Sequence, residues 1–131
     1  MSHSRRDVLI AGSSALALAA LPARAAQSAD AGAQAMLADM AEAMLADAPE
    51  TASGLGIDSG ARAALKSRLG DKSPAGQARI AAHVAERLAK LRAVNRAALS
   101  PATRTDVDVV LAAHELAADG FAFPFGDMAM M

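Results

Sequence analysis

Alanine fills 37 of the 131 positions, and no other feature limits the fold of this chain as strongly. Ala is the best helix former, whereas the β-branched and aromatic residues that favour strands are scarce. The hydrophobic fraction is 53%, but most of it is small. Large apolar side chains amount to 14 Leu, 6 Val, 3 Ile, 7 Met and 3 Phe. Hydrophobic stabilisation scales with buried area, and Ala buries little. The expectation is an all-α chain with a thin core, about four helices in an open bundle.

The first residues set a second limit. Ser4-Arg5-Arg6-Asp7-Val8-Leu9-Ile10 opens an apolar run that reaches Leu21. Pro22 breaks that run, and Ala23-Arg24-Ala25 follows. A basic start, an apolar stretch and a small-x-small site are the parts of a secretory signal. The paired Arg5 and Arg6, with an apolar residue two positions on, resemble the twin-arginine export motif. The apolar run is shorter than the roughly 20 residues needed to span a bilayer. Residues 1–25 therefore read as a twin-arginine signal peptide. Cleavage between Ala25 and Ala26 leaves residues 26–131 in the periplasm, and the translocase is the partner during export.

The remainder is nearly neutral. Removing Arg5, Arg6 and Arg24 from 13 basic residues leaves 10, and removing Asp7 from 14 acidic residues leaves 13. No basic surplus points to nucleic acid. With no cysteine, disulfides and thiolate chemistry are excluded.

Four helical stretches can be read in residues 26–131. The first covers about 30–47, with Met36, Leu37, Met40, Met44 and Leu45 on one stripe and Pro49 as its stop. A glycine-rich connector with one helical turn comes next. Asp58 or Ser59 caps a short helix over 61–69, with Leu65 and Leu69 inward and Gly70 as its end. Ser73-Pro74 starts the third helix. Its stripe of Ile80, Val84, Leu88, Leu91, Val94 and Ala98 holds a helical period over about 25 residues. Ser100-Pro101 repeats the start signal for a fourth helix that Asp119-Gly120 stops.

The fourth helix is apolar on two sides. Val107, Val110, Leu111 and His114 share one face, while Val109 and Leu116 lie nearly opposite. Behind it comes Phe121-Ala-Phe-Pro-Phe125-Gly-Asp127, followed by Met128, Met130 and Met131, with every aromatic of the chain inside five residues. Such a surface wants cover. The fourth helix and the Phe121 to Phe125 tail are expected to meet a missing C-terminal domain or another copy of the chain.

Chemical motifs are incomplete. His114-Glu115-Leu116-Ala117-Ala118 opens like His-Glu-x-x-His, in which two His one turn apart share a zinc ion and the Glu acts as base. Ala118 replaces the second ligand, so a buried, hydrogen-bonded His114 is the better reading. His83 lies at the edge of the third stripe with no Asp or Ser placed as a triad partner, and reads as a half-exposed surface histidine. Asp106 suits support of a helix dipole. Asp108 with Glu115 makes a solvated acidic edge. The methionines of the first helix read as core filler. Gly54-x-Gly56 lacks the lysine of a phosphate loop.

Several segments together resemble a known family. They are Pro49-Glu50-Thr-Ala-Ser-Gly-Leu-Gly-Ile-Asp58-Ser-Gly-Ala-Arg-Ala-Ala-Leu65, Leu99-Ser-Pro-Ala102, Asp106-Val-Asp108-Val-Val-Leu111 and Phe123-Pro-Phe-Gly-Asp127. The stretch from about Met36 to Asp127 resembles the N-terminal region of the bacterial domain-of-unknown-function family 885. Its members are large, mostly helical, often exported, and regarded as zinc metallopeptidases on a C-terminal His-Glu-x-x-His-type motif. The resemblance implies an exported N-terminal fragment of a zinc-dependent peptidase or hydrolase. Catalytic, cofactor and metal residues are then expected nowhere in this chain, with zinc confined to the C-terminal part that follows in the family. The alternative is a stand-alone periplasmic helical module for interaction or oligomerisation.

Overall fold

A computed structural model describes the backbone of residues 5–123 and the side chains of Arg24 and of residues 26–123. The fold is all-α. Helix α1 spans Arg5–Asp47, α2 Pro49–Gly54, α3 Pro74–Arg92 and α4 Pro101–Gly120, with 3-10 helices at Gly60–Ser67 and Arg96–Ala98. No described helix is long and apolar enough to cross a membrane.

Helix α1 begins 25 residues ahead of the expected Asp30, because the Ala-rich composition continues upstream. It runs past position 22, so the Ala25–Ala26 bond lies inside helix. Its far end matches the expectation at Asp47. Pro49 does more than stop it. Proline suits the first turn of a helix, where its missing N–H loses nothing, and Pro49 opens α2 while fully buried with Ala52.

The connector closes on itself through backbone turns. Ile57 N–H donates to Ala52 O at 2.9 Å, and Gly56 takes a φ of 70°, which side chains with a Cβ rarely adopt. The helix expected over 61–69 is a 3-10 turn ending at Ser67. Its N-cap is Ser59, without a side-chain cap hydrogen bond. Asp58 accepts from Ser53 Oγ at 2.7 Å instead. Arg68 is extended, with φ −112° and ψ 146°, so the helical register is lost there. Leu69, expected inward, is 84% exposed. Gly70 N–H donates to Glu50 at 2.8 Å, which holds the Glu50 carboxyl below its usual range.

Both Ser-Pro starts work as expected. Ser73 Oγ accepts from Gly76 N and Ser100 Oγ from Thr103 N. Gly76 is needed here, since a Cβ would collide with the Asp71 carbonyl. Helix α3 is 19 residues long and ends at Arg92, six residues short of the expected Ala98. Asn95 intervenes: its side chain accepts from Ala97 N–H and starts a separate 3-10 turn. Short polar side chains compete with the helix in this way.

Two small clusters make the core. Ala33 and Met40 of α1 meet Leu91, Leu99 and Val107, with Val110 and Leu111 packed alongside. Ile80 and Val84 of α3 meet Ala117 of α4, with Ala118 and Phe121 against them. Helix α4 thus packs on α3 and on α1, and Leu91 brings α3 into the α1 cluster. Met40 is core filler as expected, Met36 is half-buried, and Met44 is 37% exposed.

Candidate functional site

Helix α1 ends in Asp47 and has no basic residue in its last turn. The C-terminal end of a helix carries partial negative charge, which a further carboxylate makes worse and cations relieve. Helix α3 supplies the relief. His83 and Arg87 are one turn apart and both reach Asp47. His83 Nδ1 lies 3.0 Å from Oδ1, and Arg87 Nη2 donates to Oδ2 at 2.6 Å. The Asp47 and Arg87 side chains are only 13% and 10% exposed, while His83 stays 38% exposed. A buried ion pair holds only when its charges are mutually satisfied, and this one ties the end of α1 to the middle of α3.

The trio closes one end of a cleft of about 630 Å³ between α1 and α3, floored by Met36 and Met40 and rimmed by Asp39, Glu86 and Lys90. A His oriented by an Asp is two-thirds of a catalytic triad. The cleft lining contains no hydroxyl or thiol to serve as nucleophile. Arg87 already occupies the carboxylate, and its charge opposes a cation at the same oxygens. The geometry is that of a structural clamp. Sequence spacing does not point to Asp47, which stands 36 residues before His83, too far for any spacing rule to find.

His114 is 5% exposed, and its Nδ1 lies 2.9 Å from Val110 O. It is the buried, hydrogen-bonded histidine expected from its face. With Ala118 one turn on, the donor set does not fit zinc. Among the described residues no group of three or more His, Asp or Glu could hold a metal ion.

The expected acidic edge of α4 is cancelled by basic residues from the α3 side. Arg92 Nη2 donates to Glu115 at 3.0 Å. Arg96 Nε lies 3.2 Å from Asp108 Oδ1, an ion pair without a hydrogen bond at that nitrogen. Asp106 lies beyond the first turn of α4, which holds no acidic residue. The carboxylate at that end comes from α1. Asp30 accepts from Ser100 N–H at 2.9 Å, and this contact holds the Asp30 carboxyl below its ordinary value.

The outer face of α4 carries exposed apolar residues. Val107 is fully buried and His114 nearly so on the inner side, whereas Val109 is 63% and Leu116 65% exposed. Thr105, Ala112 and Ala113 lie exposed between and beside them. Past the helix, Phe121 is half-buried against α3, so it is not part of the open tail that the sequence suggested. Phe123 is 64% exposed. Phe125 and the methionines after it lie outside the described residues.

Comparison of the chain with family models, with curated proteins and with solved structures finds no match.

Proposed function

We propose that this chain is an exported helical docking module, whose working surface is the outer face of α4. The observation that carries the reading is the pair Val109 and Leu116, both more than 60% exposed on a regular helix whose other face is fully engaged. A continuous apolar face open to water marks a protein-binding surface. Arg5 and Arg6, with Ala23, Ala25 and Ala26 at the cleavage site, support delivery to the periplasm by the twin-arginine translocase. Mass spectrometry of the exported chain is expected to find Ala26 as its first residue. Exported material that still begins at Met1 or Ser2 removes the export half of the proposal.

Docking is tested by a photoreactive residue at Ala112 in a bacterium that exports the chain, with the exposed position Ala85 on α3 as control. One discrete adduct is expected from 112 and none from 85. Replacing Val109 and Leu116 by Ser should lower the yield about tenfold, the effect of roughly 1.4 kcal/mol. Equal adducts from both positions, or none from 112, would overturn the docking reading.

A second reading has one observation in its favour. The segments Leu99-Ser-Pro-Ala102 and Asp106-Val-Asp108-Val-Val-Leu111, which resemble the zinc-peptidase-like family, build the start and middle of α4 itself. In such a protein this face lies against the metal-bearing region, and the photo-adduct would carry that region's peptides.

A further inference from the structure

Between the 3-10 helix that ends at Ser67 and the cap at Ser73, residues 68–72 form the longest described stretch with neither helix nor turn. Arg68 opens it with φ −112° and ψ 146°, the geometry of a strand. Arg68 and Leu69 are both exposed. Leu69, at 84%, is the most exposed of the large apolar residues described, and it takes part in no hydrogen bond among the described residues. The backbone is tied on either side of it. Arg68 N–H donates to Leu65 O at 3.1 Å, and Gly70 N–H donates to Glu50 Oε1 at 2.8 Å. The segment is thus held out in extended form.

An extended segment with free backbone groups can be paired as a strand by another protein. Endoproteases take their substrates in that form, and the trypsin type reads a basic side chain through a carboxylate in its specificity pocket. A bond inside a helix has to open before it is cut, whereas an extended one does not. We propose that the Arg68–Leu69 peptide bond is the site at which a trypsin-type endoprotease nicks this protein, giving a two-chain form that stays assembled. Water adds across the bond: its oxygen goes to the Arg68 carbonyl carbon, and a proton goes to the departing Leu69 nitrogen.

The other basic residues are poorer sites. Those of α1, α3 and α4 lie inside helix. Arg62 and Lys66 lie in the 3-10 helix and pair with Glu42 and Asp58, and Arg96 starts a 3-10 turn and pairs with Asp108. Lys72 is exposed in the same stretch, but the bond after it leads into Ser73, whose N–H Asp71 holds at 3.0 Å. Pro74 follows and has no N–H to offer a protease. The acids nearest in sequence and space are engaged elsewhere. Asp71 pairs with Arg79 at 3.3 Å and Glu50 accepts from Gly70, so the Arg68 guanidinium is left for the pocket.

The fold sets what the nick leaves behind. Residues up to 68 and residues from 69 meet in the cluster that joins Ala33 and Met40 to Leu91, Leu99 and Val107. Asp47 holds His83 and Arg87, and Asp30 holds Ser100, across the same division. The outer face of α4 is untouched, so the nick and the docking reading stand or fall separately.

Trypsin treatment of the full chain under native conditions, followed by intact-mass spectrometry, tests the site. Within residues 26–131 the first cut is expected after Arg68, about tenfold faster than any cut inside a helix. The two pieces should co-elute on gel filtration and separate in denaturant. Arg68→Gln should slow the first cut about tenfold with helix content unchanged, and Arg68→Lys, which keeps the charge that the pocket reads, should restore it. A first cut at any other bond of residues 26–131 overturns the site, as does an Arg68→Gln chain nicked as fast as the parent. Pieces that elute apart in native buffer overturn the assembled two-chain form.

Discussion

Helices α3 and α4 begin alike and differ in how much of their apolar surface the fold uses. Each opens with Ser-Pro, each runs 19 or 20 residues, and they pack on each other. On α3 the large apolar residues Ile80, Val84, Leu88 and Leu91 are all buried. On α4 two of the large ones, Val109 and Leu116, point away from every other described element. The difference lies in where the apolar residues stand. Helix α3 confines its large ones to one stripe, whereas α4 packs on α3 and α1 with its inner face and carries Val109 and Leu116 on its outer one. This excess of apolar face on α4 is what the docking proposal rests on.

The largest effect should separate the two helices outright. Leu91 is fully buried, and its replacement by Ala is expected to cost about 4 kcal/mol, within the range for a core leucine. Leu116→Ala should stay within about 0.5 kcal/mol in dilute solution, as surface changes do. Thermal melts of the two variants at low concentration decide it. If Leu116→Ala destabilised as much as Leu91→Ala, the outer face of α4 would be core and the contrast would collapse.

The next effect tests whether the polar edge of α3 is held as firmly as its stripe. Asp47→Ala strands the nearly buried Arg87 without its carboxylate. Removing one partner of such a pair costs about 3 kcal/mol, mostly through the uncompensated charge left behind. Adding Arg87→Met to Asp47→Ala should recover most of the loss. Denaturant unfolding of both variants measures it, and an Asp47→Ala loss that Arg87→Met leaves unchanged would show that Asp47 acts on something else.

A smaller effect distinguishes the two starts. Ser73→Ala removes a cap bond of 3.1 Å and should cost about 1 kcal/mol. Ser100→Ala removes a longer one of 3.4 Å and should cost less, since each variant keeps the backbone N–H that an aspartate holds, Asp71 at Ser73 and Asp30 at Ser100. Equal losses in the two melts would mean that the cap distances do not rank the two starts.

What the sequence made legible follows from how local each signal is. Both Ser-Pro starts, the buried stripe of α3 and the two-sidedness of α4 are properties of a few adjacent turns. The same holds for His114, whose partner Val110 is four residues away. What the sequence hid was long-range. Asp47 meets His83 across 36 residues and Arg87 across 40, and Asp30 meets Ser100 across 70. Expectation and structure part where a local competitor wins: Asn95 cuts α3 short, and the extended Arg68 turns Leu69 outward. The arginines of α3 serve Asp47 and Glu115 where a solvated flank would be expected, because a charge pattern on one helix does not show which helix will face it.

The smallest effect concerns the carboxylate that the start of α4 recruits from α1. The backbone N–H and side chain of Ser100 hold the Asp30 carboxyl below the ordinary aspartate value. A depressed carboxyl binds protons less readily folded than unfolded, so its contribution is complete above the unfolded value, about 3.9. That contribution is lost as pH falls from there through the lower folded value. Asp30→Asn should therefore lower stability slightly at neutral pH and flatten the decline below about pH 4. Asp71 is likewise held low, by Ser73 at the start of α3, so Asp71→Asn is the matched control. Melts at about pH 3 and pH 7, on either side of the unfolded value, give the comparison. Each helix start should lose part of its own acid dependence with its own aspartate. If Asp30→Asn left the difference between the two pH values unchanged, the bond from α1 to the start of α4 would carry no stability.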